Sequence, residues 1–333
     1  MKQALDIAII GSGKIVAEAL PVISQTKGLH IRSLWTRQHS LEHAQAMAEP
    51  YDIPIVTTDY AAVIADTQTD VVYIGLINSA HYTFALRALE AGKHVILEKP
   101  ACLCANELRH LAEEANRRQL MILEAVTLLH LPAFQLLRDE LLPQIGNVRH
   151  LECNYSQRSS RLDSYLQGII LPAFDPAAGG GALMDINVYN LHFTLALMGS
   201  PTTAHYVCRR GPNGVDLSGT AILEYTHEES DGKVIALCTG SKESDAPSFG
   251  LIQGERGWLR VEGSVSTMAA ITLCLRGEAP REIALEPVSH RLEPEFRAFA
   301  DILARRDFAT AGRLLAHSIS VLEVVDRLRS NAE

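Results

Sequence analysis

Along the first 125 residues, short uninterrupted apolar runs alternate with longer stretches in which apolar positions recur every three to four residues. The runs at 5–10, 30–35, 71–75, 94–98 and 121–125 predict strands. A strand covered on both faces has no polar side, so it reads as continuous hydrophobicity rather than alternation. The stretches 41–48, 82–91 and 105–118 predict the helices between them. This rhythm predicts right-handed crossovers and a doubly wound parallel α/β sheet.

Beyond Pro132 the texture changes. A helical pattern at 133–142 precedes strand-like segments at 148–155, 220–226, 233–239 and 258–262, punctuated by Gly214, Asp231-Gly232 and Arg256-Gly257 as hairpins would be. These predict an α+β domain with a large, mostly antiparallel open sheet carrying helices on one face. Residues 294–329, with apolar positions Leu314, Leu315, Ile319, Leu322 and Val325, predict closing helices. The domains expected are 1–125 and 126–333. A chain of 333 residues is too long for one comfortable core, which agrees with two domains.

Composition adds exclusions. With 47% hydrophobic and 21% charged residues the chain reads as packed and enzyme-like, and a net charge of -9 with no basic run argues against nucleic acid or an anionic membrane as partner. Cys102, Cys104, Cys153, Cys208, Cys238 and Cys274 lack the spacing of a zinc or redox pair, so no metal is expected and the thiols read as reduced. The apolar run at 7–10 is too short for a signal or membrane segment, and a cytoplasmic protein is expected.

Gly11-Ser12-Gly13 follows the first strand and, through Lys14 and Ile15, opens a helix. In that context the loop reads as a dinucleotide fingerprint of the Rossmann type. The first glycine allows the turn, and the second lets backbone approach a pyrophosphate at the helix amino terminus. The third position holds Val16 instead of Gly or Ala, which should push helix and strand apart or shift their close contact to Ala17. The second strand ends in Trp35-Thr36-Arg37 with no carboxylate for an adenosine ribose. A hydroxyl beside a guanidinium suits the 2′-phosphate of NADP better than NAD; an ordinary solvated Arg37 is the other reading.

Glu98-Lys99-Pro100 ends a buried strand at the carboxyl edge of the sheet, where open α/β sheets bind ligands, so Lys99 reads either as an acid beside a nicotinamide or as a structural lysine. Gly179-Gly180-Gly181 introduces an apolar helix at 182–198. On it Asp185, Tyr189 and His192 share one face, as a cleft wall handling a hydroxyl or carbonyl group or as a polar network between domains.

With these residues in place, the chain resembles the Gfo/Idh/MocA oxidoreductases over nearly its whole length, in the branch that includes glucose-fructose oxidoreductase and dihydrodiol dehydrogenases. The parts come in the family's order: the glycine loop, Asn78-Ser79-Ala80-His81, Ala91-Gly92-Lys93-His94-Val95 leading to Glu98-Lys99-Pro100, and Gly179-Gly180-Gly181-Ala182-Leu183-Met184-Asp185 with Tyr189. The resemblance implies hydride transfer between NADP or NAD and a hydroxyl-bearing carbon of a sugar, inositol or small diol. It implies that Tyr189 exchanges the hydroxyl proton, that Lys99 stabilises the alkoxide and tunes Tyr189, and that Asp185 orients the substrate or Lys99. Asn78 and His81 are implied to line the cofactor pocket and Glu98 to lie near the nicotinamide ribose. A glycosidase or lyase that oxidises transiently and a non-catalytic dinucleotide-sensing regulator are the rival activities. Asn187, Asn190, Ile77 and Val16 depart from the pattern. A sheet face free of helices predicts a homodimer or higher homo-oligomer.

Overall fold

The computed structural model describes residues 4–226 and 232–332. The chain begins with β1 (Leu5–Ile10), α1 (Lys14–Gln25), β2 (Leu29–Trp35), α2 (Leu41–Ala48), β3 (Ile55–Thr57), α3 (Tyr60–Ala65), β4 (Val71–Ile74), α4 (Asn78–Glu90), β5 (His94–Glu98), α5 (Ala105–Arg118) and β6 (Ile122–Ala125). All these strands are parallel, in the order β3-β2-β1-β4-β5-β6, the doubly wound arrangement predicted. Strand β3 was not foreseen: it has three residues, and none of them is buried, so it carries no continuous apolar run. Helix α4 starts one turn earlier than its pattern suggested, bringing Asn78 and His81 onto its first turn.

After β6 come α6 (Pro132–Leu136), a π turn Leu137–Leu141 and a 3-10 turn Leu142–Ile145. Then follow β7 (Val148–Ser156), α7 (Leu162–Leu166), a second π turn Leu183–Asn187, α8 (Val188–Met198), β8 (Thr203–Arg210), β9 (Asp216–Thr226), β10 (Lys233–Ser241), β11 (Phe249–Gly254), β12 (Gly257–Glu262), β13 (Ala270–Leu275) and β14 (Arg281–Ile283). Their sheet has the order β14-β13-β12-β11-β7-β10-β9-β8 and is antiparallel except where β10 lies parallel to β7. Strands β8, β11, β13 and β14 were not anticipated. In β8, buried Ala204 and Tyr206 alternate with exposed His205, Val207 and Arg209, a half-polar pattern with no apolar run to announce it. Gly214 turns β8 into β9 at φ +82°, as its sequence signal proposed. Asp231 of the Asp231-Gly232 turn lies outside the described residues.

The closing helices are α9 (Glu293–Arg305) and α10 (Phe308–Ser330). The chain forms two compact units, Met1–Ala125 with Val288–Ile319, and Val126–Pro287 with Ser320–Glu333. This differs from the simple division at residue 125. Leu292, Phe296, Phe299, Ile302 and Leu303 join Ile7, Ile9, Leu20 and Tyr73 in one core, with the Phe296 and Tyr73 rings 5.5 Å apart. Helix α9 thus returns from the far end of the chain to share with α1 the apolar layer against the parallel sheet. Helix α10 is long and apolar enough to cross a membrane by length and composition. Its Val321, Leu322, Val324, Val325 and Leu328 are nonetheless buried in the fold.

Candidate active site

In the first unit, β1 runs into Gly11 at φ +122°, where a side chain would strike the Gly75 carbonyl oxygen at 2.5 Å. Gly13 stands at the start of α1 with open space on its side-chain side. No side chain caps this helix start, and no acid occupies its first turn. The leading N–H groups of a helix lack intrahelical acceptors and carry partial positive charge, so this start suits a pyrophosphate. The residues present therefore fit a dinucleotide. Lys14 is exposed and Ile15 half-buried at the same turn.

The end of β2 separates two residues that were read together. Thr36 is 2% exposed, and its hydroxyl lies 2.8 Å from that of Ser12. It therefore tethers the glycine loop. Arg37 is exposed, with no side-chain hydrogen bond or ion pair among the described residues, and remains available to an anion. The sequence shows Ser12 between the two glycines but not its contact with Thr36.

At the carboxyl end of β5, half-buried Lys99 lies between groups that hold its segment. Glu98 is buried and accepts a hydrogen bond from the Tyr73 hydroxyl at 2.7 Å. Burial raises its pKa, against the lowering effects of that bond and of Lys99. Glu124, on the neighbouring β6, accepts the Ala101 N–H at 2.7 Å, and burial raises its pKa to about 7. His81 is fully buried, with Nδ1 3.0 Å from the Pro100 oxygen and Nε2 3.2 Å from the Leu76 oxygen. Burial lowers its pKa. His81, expected to line the cofactor pocket, clips the loop after β4 to the segment after β5. Asn78, half-buried at the first position of α4, keeps a place at the sheet's carboxyl edge.

In the second unit, the triple glycine passes under Asp216. A side chain on Gly181, at φ +113°, would meet Asp216 Oδ1 at 2.0 Å. Asp216 Oδ2 accepts the Leu183 N–H and the Tyr206 hydroxyl, each at 2.7 Å, so this carboxylate secures the helix start. Its pKa is raised by burial despite both bonds. The predicted helix opens as the π turn, a local widening common at functional sites. Asp185 and Tyr189 are half-buried along it, while His192 is 1% exposed and falls inside the fold. The Tyr189 ring sits 6.0 Å from that of Tyr155 on β7. Asp185 Oδ2 accepts a hydrogen bond at 2.6 Å from Nζ of Lys242, a residue that sequence reasoning missed because its neighbours Ser241, Glu243 and Ser244 are polar.

Comparison with known proteins agrees with this geometry. Residues 5–125 match the family described as "Oxidoreductase family, NAD-binding Rossmann fold", and residues 143–260 match the "GFO/IDH/MocA C-terminal domain". The chain belongs to the Gfo/Idh/MocA family of NAD(P)-dependent oxidoreductases. It is 27% identical over 322 residues to scyllo-inositol 2-dehydrogenase (NADP(+)) IolU of Bacillus subtilis, covering 97% of this chain and 95% of that one. It is 29% identical over 229 residues to human trans-1,2-dihydrobenzene-1,2-diol dehydrogenase, 68% of this chain and 66% of the relative. Its fold matches that of KijD10, a 3-ketoreductase from Actinomadura kijaniata solved with NADP and TDP-benzene, with a TM-score of 0.86 at 23% identity over 99% of this chain and 98% of the other.

Within the Gfo/Idh/MocA pattern, three of the four departures are accommodated by what they pack against. Val16 neither pushes α1 away nor passes its contact to Ala17. It is fully buried against Gly75, where any Cβ would lie 2.7 Å from Val16 Cγ2. The small residue that the fingerprint places on the helix sits on the opposing strand end instead. Asn187, where the family usually has Gly, packs in the same way against Gly240, whose Cβ would meet its own at 2.8 Å. Its amide donates to the Cys238 oxygen at 2.8 Å, and Asn190 donates to Asn187 Oδ1 and the Thr239 oxygen. Both asparagines are fully buried, so they join the π turn to β10 and present nothing to a substrate.

Proposed function

We propose that this protein transfers hydride reversibly between NADP(H) and a hydroxyl-bearing carbon of a sugar, inositol or small diol. The observation that carries the reading is that Lys99, Asp185 and Tyr189 are all present and all half-buried, in a chain whose dinucleotide loop is open at Gly13. A non-catalytic regulator would have no use for three such groups. The named relatives, dehydrogenases and a reductase, favour net oxidation or reduction over a hydrolase or lyase that returns its hydride.

The helix start at Gly13, Lys14 and Ile15 would hold the pyrophosphate, Arg37 the 2′-phosphate, and Asn78, Glu98 and Lys99 the nicotinamide end. When bound, the nicotinamide supplies the hydride acceptor and donor. Tyr189 Oη takes up the substrate's hydroxyl proton and returns it in reduction, the Lys99 ammonium stabilises developing alkoxide charge, and the Asp185 carboxylate orients the substrate by accepting from a hydroxyl. Arg37, the cation left by β2 in place of a carboxylate, supports NADP over NAD, as does the NADP(+) dependence in the name of the inositol relative.

The test is separate titration with NADPH and NADH, followed by energy transfer from Trp35, and then a sugar and diol screen with NADP. Lys99→Met is expected to abolish turnover and still bind NADPH. Loss of binding in a folded variant would overturn its role, and binding of neither nucleotide would bring the regulator forward.

The outer face of the eight-stranded sheet exposes Val207 (55%) and Ile235 (39%), which supports burial against a second copy. Size-exclusion chromatography with light scattering should show a dimer or larger; a monomer would remove the proposal. The six free thiols support a cytoplasmic setting.

A further inference from the structure

We infer that Lys242 is a positioning residue for the reaction, fixing the Asp185 carboxylate and registering the loop that carries residues 157–175 against it. The inference rests on the reading that Asp185 meets the substrate. Lys242 directly follows β10, and its side chain is 1% exposed. A buried ammonium is costly unless its protons find acceptors, so its partners show what it is kept for. Nζ donates to Asp185 Oδ2 at 2.6 Å and to the Ala173 carbonyl oxygen at 2.5 Å, and lies 4.6 Å from the centre of the Phe174 ring.

Its backbone is engaged on both sides. The Lys242 N–H donates to the Leu217 oxygen, and its carbonyl oxygen accepts the Ser159 N–H, each at 2.8 Å. The preceding residue, Ser241, accepts the Gln157 N–H at 2.9 Å, and Asp245 Oδ1 accepts the Arg158 N–H at 2.8 Å. One side chain thus touches two points brought together from distant stretches: the carboxylate on the π turn, and the Ala173-Phe174 end of the loop. Phe174 is itself fully buried and stacked on Tyr165 of α7, at 4.9 Å between ring centres.

Asp185 remains 37% exposed, so one side of its carboxylate is held from within while it still reaches solvent. An exposed carboxylate on a π turn would otherwise sample several rotamers. The buried ammonium selects one of them. Because the same Nζ holds the Ala173 carbonyl, a shift of the loop is also a shift of Asp185.

The experiment compares Lys242→Gln, Lys242→Met, Asp185→Asn and the Lys242→Gln/Asp185→Asn pair in the full-length protein. It measures kcat, KM, NADPH affinity and Tm with a substrate identified by the screen. Lys242→Gln is expected to lower kcat about 10- to 100-fold with NADPH affinity within about twofold. Adding Asp185→Asn should then cost far less than it does alone, because the two residues act as one unit. Multiplying fold-losses, or wild-type kcat in both Lys242 variants, would overturn the inference. So would failure of both Lys242 variants to fold while Asp185→Asn folds normally, since the lysine would then serve the core alone. If Asp185→Asn by itself leaves turnover intact, the reading of the site fails first.

Discussion

Val16 and Gly75 interlock: a Cβ on Gly75 would come within 2.7 Å of Val16 Cγ2, so the bulk on α1 depends on its absence at the end of β4. Gly75→Ala should cost about 1–3 kcal/mol by overpacking and weaken dinucleotide binding, because the displaced helix carries the proposed pyrophosphate site. The Val16→Ala/Gly75→Ala pair should recover most of that loss. Urea denaturation and NADPH titration of Gly75→Ala, Val16→Ala and the pair check it; two single effects that simply add would deny the interlock.

Arg37 should decide between the nucleotides. Its exposed guanidinium has no side-chain hydrogen bond or ion pair among the described residues, so removing it leaves no buried group unsatisfied. Arg37→Ala is expected to weaken NADPH by about 10- to 100-fold, the worth of one or two charge-assisted hydrogen bonds, and to leave NADH within about twofold. Calorimetric titration of both nucleotides measures this. Equal weakening of the two would assign Arg37 to the shared adenine and withdraw the NADP preference.

Glu124 predicts a pH dependence of stability. Burial raises its carboxyl pKa from 4.5 to about 7. The folded protein therefore holds the proton more tightly than the unfolded chain, and this contribution is fully present below about pH 4.5 and lost as pH rises through about 7. The shift corresponds to about 3 kcal/mol. Glu124→Gln keeps an acceptor for the Ala101 N–H and removes the titration. Its stability relative to the parent should grow by roughly that amount between pH 4 and pH 8, as denaturant midpoints at each pH would show. A constant difference would mean that Glu124 titrates normally.

The sequence by itself determined most of the parallel sheet. Strands buried on both faces leave no polar side, so β1, β4, β5 and β6 were legible as continuous apolar runs. The Gly11–Gly13 turn and the Lys99 segment were legible for a related reason: each needs particular residues within a few positions of one another, and nothing distant has to be known. Lys99, Asp185 and Tyr189 were found in that way, with the order of their motifs along the chain.

Tertiary structure alone decided what depends on partners far apart in sequence. Val16 is tolerated because of Gly75, and Asn187 because of Gly240; neither departure could be judged from its own neighbours. That Thr36 is tied to Ser12, and His81 to the Leu76 and Pro100 carbonyls, could likewise be seen only in the fold. The strands of the second sheet alternate between a buried and a solvated face, so half of them passed for loop. Helix α9 displays an apolar stripe in any reading, but only the uncovered core of the parallel sheet determines where that stripe is buried. Lys242 is the clearest case. Its polar neighbours in sequence suggest solvent, yet the pairing of β10 with β7 and β9 carries it inward to a carboxylate 57 residues away.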